Sequence, residues 1–262
     1  MRLAGRRVED ALPGRQGRVV LAYLTVHRGR TVTREELADA LWPHDPPSAP
    51  GIALSALLSK LRGALGDEVL QGRSEPRIAL PPDAFVDLDA AVEAVHRAET
   101  AFAAGDWTRA YGPAHVALYV AERGFLPGLD APWIDEMRRD VEDIRLRALE
   151  CAVAVQLALG GNELATAEHQ ARELTRLAPY RESGYCLLMR ALERRGNVAE
   201  ALLVFDGLRS LLRDELASRP GPARRRCTSA CSARAPASPP HPDDTAGAMF
   251  LLRWKQAGSP GG

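Results

Sequence analysis

Residues Pro46 to Gly66 read PPSAPGIALSALLSKLRGALG, and this stretch decides how the rest of the chain is interpreted. Behind its prolines, leucines recur at steps of four, three and four residues: Leu54, Leu58, Leu61 and Leu65. That spacing is typical of a helix with one apolar face. The sequence therefore predicts a helix from Pro50 to Leu65 whose leucines face a core.

The opposite face of this predicted helix carries small side chains with cations on its flanks. The small residues are Ser55, Ala56, Ser59 and Gly63, and the cations are Lys60 and Arg62. Such a face suits a large, negatively charged partner such as a DNA groove. An ordinary surface helix has the same pattern, so the pattern alone leaves both interpretations open.

Composition limits the class of protein. A chain of 262 residues with 46% hydrophobic residues is long and apolar enough for one or two folded domains. No apolar run approaches the roughly 18 residues needed to cross a bilayer, and the first residues, MRLAGRRVED, are charged where a secretory signal is apolar. We therefore expect a cytoplasmic protein with no membrane contact.

The zero net charge conceals an uneven distribution along the chain. Residues 1–85 carry 12 basic and 10 acidic side chains, residues 86–218 carry 15 and 22, and residues 219–262 carry 7 and 2. A mildly basic front, an acidic middle and a basic end indicate three parts with different partners. The excess of basic over acidic side chains in residues 1–85 is much smaller than expected when charge alone drives nucleic-acid binding.

Two further helices are predicted before Pro46. Pro13 opens the apolar pattern PGRQGRVVLAYLTVHRG, which Gly29 ends. Thr33 with Glu36 three residues later forms a capping box for a helix that Pro43 stops. These segments would support the Pro50 to Leu65 helix.

Behind Gly66 the pattern changes to short strands. Glu68 to Leu70 and Arg77 to Leu80 are predicted strands, joined by a tip that holds Gly72 and Arg73. Three helices followed by a hairpin with a basic tip is the outline of a winged helix, whose wing cations reach flanking phosphates.

The predicted DNA-binding residues are those that this outline places toward a duplex. They are Arg15, Arg18, Ser55, Ser59, Lys60, Arg62, Arg73 and Arg77. For each cation on the helices, a solvated surface charge is an equally good interpretation. The hairpin arginines are better candidates, because a hairpin tip places a long cation away from its own core.

The second half of the chain carries a repeat. Gly161-Asn162 and Gly196-Asn197 each open an Ala-rich helical segment, and the two starts lie 35 residues apart. Small residues recur where helices would cross, at Ala167, Ala171 and Ala201. A period near 34 with this pattern indicates tetratricopeptide-like helix pairs, so the fold class is mainly α.

Several phrases resemble a known family. LPGRQGRVVLAYL, TREELADALW and ALSALLSKLRGALG are similar to the OmpR-type winged helix at the front of the Streptomyces antibiotic regulatory proteins. GFLPGLDAPW and APYRESGYCLLMRALERRGN are similar to the bacterial transcriptional activator domain that follows it in that family. The resemblance covers about residues 3 to 218.

The resemblance implies a transcriptional activator that binds direct repeats in promoter DNA, contacts RNA polymerase and regulates secondary-metabolite genes. It also implies a homodimer on double-stranded DNA and association with the nucleoid when bound. The alternative is a tetratricopeptide-like interaction scaffold with a vestigial winged helix that does not bind DNA. The sequence contains no phosphate loop, dinucleotide fingerprint, zinc-protease or nucleophile-elbow motif, so we expect no enzyme activity, catalytic residue, metal or cofactor.

Three parts are expected along the chain. Residues 1–85 would form the winged helix, residues 86–217 the activator domain, and residues 218–262 a disordered or aberrant tail rich in Pro, Ser, Arg and Gly. Family members begin with more strands than Met1 to Leu12 can supply, so the front domain is N-terminally short and has room for at most two small strands. A shifted reading frame beyond Leu216 would explain the tail.

Overall fold

The structure is a computed structural model that describes the backbone of residues 2–3, 6–7 and 12–216 and the side chains of residues 12–213. The prediction for residues 218–262 lies outside these described residues. The chain divides into two compact units. Unit 1 consists of Met1–Ala90 and Arg123–Glu142, and unit 2 consists of Ala91–Glu122 and Asp143–Gly262.

Unit 1 contains the helices and strands that the sequence predicts for its front. The strands β1 Arg2–Leu3 and β2 Arg6–Arg7 pair antiparallel, which confirms the two small strands. The helices follow in the order α1 Gly14–Val26, α2 Arg34–Leu41 and α3 Pro50–Leu65. The helix predicted from Pro50 to Leu65 is confirmed at both ends.

The core of unit 1 forms where the apolar faces of these three helices meet. The fully buried side chains that the three helices contribute to it are Val20, Leu24, Leu37, Leu54, Leu58 and Leu61. The leucines of α3 face the core as the sequence predicts, because each buried leucine lies on the face that packs on α1 and α2. Leu65, at the last turn, is only partly buried.

The wing is shorter than predicted. Its strands are β3 Leu70–Gln71 and β4 Arg77–Ile78, which pair antiparallel. The prediction of a strand from Glu68 was wrong, because the amides of Val69 and Leu70 both donate to the carbonyl of Gly66 and close a turn there. The amide of Ala79 still donates to the carbonyl of Val69 at 2.8 Å, which extends the pairing beyond β4.

Residues 123–142 belong by their contacts to unit 1, although the sequence prediction assigned them to the second domain. Leu129 and Ile134 are buried in a cluster with Val19 of α1. The indole Nε1 of Trp133 donates to the carbonyl of Ala40 at 3.1 Å. These buried residues lie about 40 to 50 positions beyond the domain boundary that the sequence predicts at residue 85. The contacts of the structure therefore divide the chain differently from the sequence prediction.

A charged cluster joins α1 to α2 within unit 1. The hydroxyl of Tyr23 donates to Glu36 at 2.6 Å, and Arg30 donates to both oxygens of the same carboxylate. The amide of Glu36 donates to the hydroxyl of Thr33 at 3.1 Å, which confirms the predicted cap. The hydrogen bonds from Arg30, followed by those from Tyr23 and the Thr33 backbone, lower the pKa of Glu36 to about 2.

This lowered pKa predicts how the stability of unit 1 depends on pH. The folded pKa of Glu36 lies below its ordinary value of 4.5, so the stabilisation is complete above that value and is lost as the pH falls through about 2. We expect Glu36→Gln to lower the free energy of unfolding by about 1 kcal/mol at neutral pH and to have a smaller effect near the folded pKa. Urea denaturation at several pH values measures this.

The neighbouring residue provides a matched control for that experiment. Glu35 lies in the same first turn of α2 and is exposed. Glu35→Gln removes the same charge and is expected to lower the free energy of unfolding by much less than Glu36→Gln, because Glu35 lies outside the cluster. Equal losses from both variants would assign the effect to the charge at the helix N-terminus rather than to the cluster.

Unit 2 consists of helices that follow one another along the chain. The helices that contribute to it are α4 Asp87–Ala103, α5 Trp107–Glu122, α6 Pro132–Leu159, α7 Glu163–Leu177, α8 Glu182–Arg194 and α9 Val198–Leu216. The first residues of α4, up to Ala90, and of α6, up to Glu142, belong to unit 1. Both predicted repeat starts are confirmed, since α7 begins directly after Asn162 and α9 directly after Asn197.

The small residues of unit 2 lie where its helices cross, as predicted. Ala167 and Ala171 of α7 and Ala201 of α9 are at most 1% exposed and belong to one apolar cluster with α8. Methyl-sized side chains let neighbouring helices approach closely, so each helix pair buries its apolar face against the next. This packing is that of tetratricopeptide-like repeats.

Candidate nucleic-acid interface

The outward face of α3 is as the sequence predicts. Ser55, Ala56, Ser59 and Gly63 are all exposed, and so is Lys60 on the flank. A Cβ added at Gly63 would meet nothing within 4 Å, so no part of unit 1 lies against this end of the face. The face is therefore open to a partner along the helix.

Four of the eight predicted DNA-binding residues are engaged inside the protein. Arg15 donates to the carbonyl of Gly128, and Arg62 donates to the carbonyl of Gly72 at the wing. Arg77 donates to the side chain of Gln71 at 2.8 Å. Ser55 donates to the carbonyl of Gly51 at 2.7 Å. Each of these side chains already has a hydrogen-bond partner within the protein. To contact a phosphate or a base, each would have to exchange that partner or bind both at once.

The side chains of the remaining four predicted residues have no hydrogen-bond or ion-pair partner within residues 12–213. They are Arg18, Ser59, Lys60 and Arg73, and all four are exposed. Lys60 lies on α3 and Arg73 lies at the tip of the wing. An exposed cation without an internal partner keeps its full charge available to phosphate oxygens.

Arg34, which no sequence pattern singles out, fixes the position of the wing beside α3. Its guanidinium donates to the hydroxyl of Ser55 at 2.5 Å and to the carbonyl of Gly51 at 3.2 Å. It also donates to the carbonyl of Arg73 at 3.2 Å. One side chain from the first turn of α2 therefore joins the start of α3 to the tip of the wing. Nothing in the local sequence of α2 indicates this role, because its partners lie 17 to 39 residues away.

Gly72 sets the turn of the wing tip. Its φ is +74°, and a Cβ there would lie 2.1 Å from the carbonyl oxygen of Glu75. Only glycine fits such a left-handed position beside a backbone oxygen. The carbonyl of Gly72 in turn accepts from Arg62, so the tip is held to the last turn of α3.

The contacts of Arg34 lead to a prediction about the mobility of the wing. We expect Arg34→Ala to speed amide hydrogen exchange at the wing tip, residues 72–75, because the tip loses its hydrogen bond to α2. The free energy of unfolding should fall by no more than about 1 kcal/mol, since the side chain is partly exposed. Arg77→Ala is the control, because Arg77 bonds only within the wing among the described residues. Unchanged exchange in Arg34→Ala would show that the wing is held without it.

Metal clusters and membrane-spanning helices are both absent from the described residues. No group of three or more His, Cys, Asp and Glu side chains is arranged to hold a metal ion in the described part of the chain. None of the helices described is both long enough and apolar enough to span a bilayer.

Comparison with known proteins decides the family. The profile of the bacterial transcriptional activator domain matches residues 86–231, which is more than half of the chain. The regulatory protein AfsR of Streptomyces griseus is 35% identical over 207 residues, and AfsR of Streptomyces coelicolor is 36% identical over 208. The chain belongs to the Streptomyces antibiotic regulatory protein family. The resemblance seen in the sequence is thereby confirmed.

Members of the Streptomyces antibiotic regulatory protein family differ in length from this chain. Each AfsR alignment covers 79% of this chain but 21% of the relative, so the chain spans about a fifth of their length. The transcriptional regulatory protein EmbR of Mycobacterium tuberculosis is 28% identical over 232 residues, which is 86% of this chain and 59% of EmbR.

A solved structure supports the fold. Mycobacterium tuberculosis EmbR, solved in complex with a low-affinity phosphopeptide, superposes with a TM-score of 0.77 at 23% identity. The superposition covers 93% of this chain and 64% of that one. The mainly helical architecture predicted from the sequence is therefore also the fold of that solved structure.

Proposed function

We propose that this protein is a DNA-binding transcriptional regulator that activates promoters. The observation that carries the proposal is the open face of α3, flanked by Lys60 on the helix and by Arg73 on the wing. The side chains of both cations lack a hydrogen-bond or ion-pair partner among the described residues. A winged helix binds by placing such a helix in the major groove and its wing against the flanking phosphates. Family membership supports the same proposal.

The two units would have different roles. Unit 1 would bind promoter DNA at direct repeats, one protein copy on each repeat, and the helical repeats of unit 2 would provide surface for protein partners. RNA polymerase is the partner that the family resemblance implies, and secondary-metabolite genes are the targets that it implies. The solvated loop from Pro43 to Pro50 lies on unit 1 next to α3, where a polymerase subunit could reach it.

A rival function is a tetratricopeptide-like scaffold whose winged helix does not bind DNA. Exposed apolar side chains on unit 2 favour it, since Tyr119 is 67% exposed and Leu203 is 70% exposed. Such side chains would mark a protein contact if they belonged to a contiguous apolar patch, because single exposed apolar residues are ordinary. Both functions can coexist, but only the regulator requires sequence-specific DNA binding.

In vitro selection tests the proposal. The purified full-length chain is incubated at physiological salt with a pool of randomised DNA duplexes, and the bound fraction is amplified and sequenced through several rounds. We expect a motif that recurs in direct orientation. If no sequence is enriched above a mock selection, the regulator proposal fails and the scaffold remains.

Transcription in vitro then tests the activator part. A template with the selected motif upstream of a weak promoter is transcribed by a Streptomyces RNA polymerase holoenzyme with and without the protein. We expect more transcript with the protein present, and no change on a template whose motif is scrambled. Specific binding that lowers transcription would instead identify a repressor.

A further inference from the structure

Ile52 is the most exposed of the large apolar side chains that the structure describes, at 75% of its full exposure. It lies in the first turn of α3, directly after Pro50 and Gly51. The backbone at this turn is held in place, because the carbonyl of Gly51 accepts hydrogen bonds from Ser55 and from Arg34. A bulky apolar side chain is thus presented to solvent on a fixed helix end.

Folding of unit 1 does not account for an isoleucine at this position. Ile52 is absent from the buried core, whose α3 members are Leu54, Leu57, Leu58 and Leu61. Alanine has a higher helix propensity than isoleucine at an exposed helical position, so stability alone would favour alanine. Single exposed apolar side chains are ordinary on protein surfaces, so the position of Ile52 on the helix decides whether it has a role.

The position of Ile52 relates it to the proposed DNA-reading face. At helical spacing it shares that face with Ala56, Ser59 and Gly63, which follow it by four, seven and eleven residues. None of these four side chains can make the bidentate hydrogen bonds by which Arg reads guanine and Asn or Gln reads adenine. The nearby hydroxyl of Ser55 is already occupied by Arg34 and Gly51.

Apart from a single hydrogen bond from the hydroxyl of Ser59, apolar contact is the direct readout that such a face retains. In the major groove thymine alone presents a methyl group, at C5, and apolar side chains contact it. The charges beside this face favour DNA over a protein as its partner. The side chains of Lys60 on the same helix and Arg73 on the adjoining wing are exposed cations without partners among the described residues. An apolar protein surface would need no such flanking charge.

We propose that Ile52 is a specificity-determining residue that packs against the C5-methyl group of a thymine in the major groove. This inference rests on the proposed function, since it supposes that α3 enters DNA. It adds that the protein requires a T·A pair at the base-pair position under the first turn of α3, and that the requirement is for the methyl group rather than for a hydrogen bond.

Replacement of thymine by uracil tests the inference, because uracil keeps every hydrogen-bonding group and lacks the methyl. The probe is the duplex enriched by in vitro selection, with each thymine replaced in turn. We expect the unaltered protein to lose about fourfold in affinity at one position, the value of one buried methyl-sized group. Ile52→Ala should bind the thymine duplex about tenfold more weakly than the unaltered protein and should show no further loss with uracil at that position.

Two controls separate the outcomes. Ile52→Ala should unfold at the same urea concentration as the unaltered protein or a higher one, so weaker binding is not a folding defect. Leu203→Ala removes a comparably exposed apolar side chain from α9 and should bind as the unaltered protein does.

The possible results distinguish this inference from the proposed function. If selection enriches no motif, the proposed function fails and the inference with it. If a motif is enriched but no thymine position responds to uracil, or if Ile52→Ala responds to uracil as strongly as the unaltered protein, α3 or another element reads DNA without Ile52 and the inference alone is overturned.

Discussion

Replacing Trp133 by alanine is expected to lower the free energy of unfolding of unit 1 by about 3 kcal/mol. The indole contacts the ring of Tyr23 edge-on at a centroid distance of 5.0 Å and the ring of Phe125 at 5.8 Å. Its Nε1 also donates to the carbonyl of Ala40, as described above. Removing the ring leaves a cavity between α1, α2 and residues 123–142 and leaves the Ala40 carbonyl without that donor.

A second substitution separates the packing from the hydrogen bond. Trp133→Phe keeps an aromatic ring against Tyr23 and Phe125 but lacks the N–H donor, so we expect a loss of only about 1 kcal/mol. Urea denaturation followed by circular dichroism measures both variants against the unaltered protein. A loss below 1 kcal/mol for Trp133→Ala would mean that residues 123–142 add little to the stability of unit 1.

The parts of the fold that depend on neighbouring residues could be predicted from the sequence. The leucine spacing of α3 placed its buried face, because a helix with one apolar stripe has only one orientation that removes the stripe from water. The cap of α2 was predictable for a similar reason, since the Thr33 hydroxyl reaches an amide only three residues away. The helix starts at Asn162 and Asn197 followed from glycines at 35-residue spacing.

The parts that depend on distant residues could not be predicted. The partner of Trp133 lies 93 residues earlier in the chain, and Arg15 donates to a carbonyl 113 residues later. Both contacts were invisible in the sequence, where Arg15 looked like any exposed arginine in a first helical turn. The assignment of residues 123–142 to the second domain differs from the contacts of the structure for the same reason.

The candidate interface could be predicted from the sequence in outline, but the prediction was incomplete in detail. The exposed face of α3 and the free cations Lys60 and Arg73 follow from helical spacing and from the position of a hairpin tip. Spacing does not show which cations have internal partners, and so Arg62 and Arg77 looked equivalent to Lys60 and Arg73. Ile52 could have been recognised, because it precedes Ala56 by four residues and Ser59 by seven on the face already selected.

Removing the two free cations beside α3 is expected to have the largest effect on DNA binding. Each of Lys60 and Arg73 would neutralise one phosphate, so Lys60→Ala combined with Arg73→Ala should weaken binding at physiological salt by about tenfold or more. The salt slope, meaning the slope of the logarithm of affinity against the logarithm of salt concentration, should flatten by about two units. Both residues are exposed and contribute no side-chain contact to the core of unit 1, so folding should be unchanged.

A double variant of equal charge on unit 2 is the control. Arg176 of α7 and Arg209 of α9 are exposed arginines, and replacing both by alanine removes the same two charges. We expect this variant to keep the salt slope of the unaltered protein, because net charge alone has little effect on contacts made by unit 1. Equal flattening in both double variants would assign the effect to overall charge.

The salt slope of the unaltered protein on its selected duplex tests the central claim most directly. Titrations of a labelled duplex at several salt concentrations give the slope for the unaltered protein and for the variant that lacks Lys60 and Arg73. We predict specific binding with a clearly negative slope, and a slope about two units flatter in the variant. Specific binding whose slope is the same in both proteins would contradict the placement of α3 and the wing on DNA.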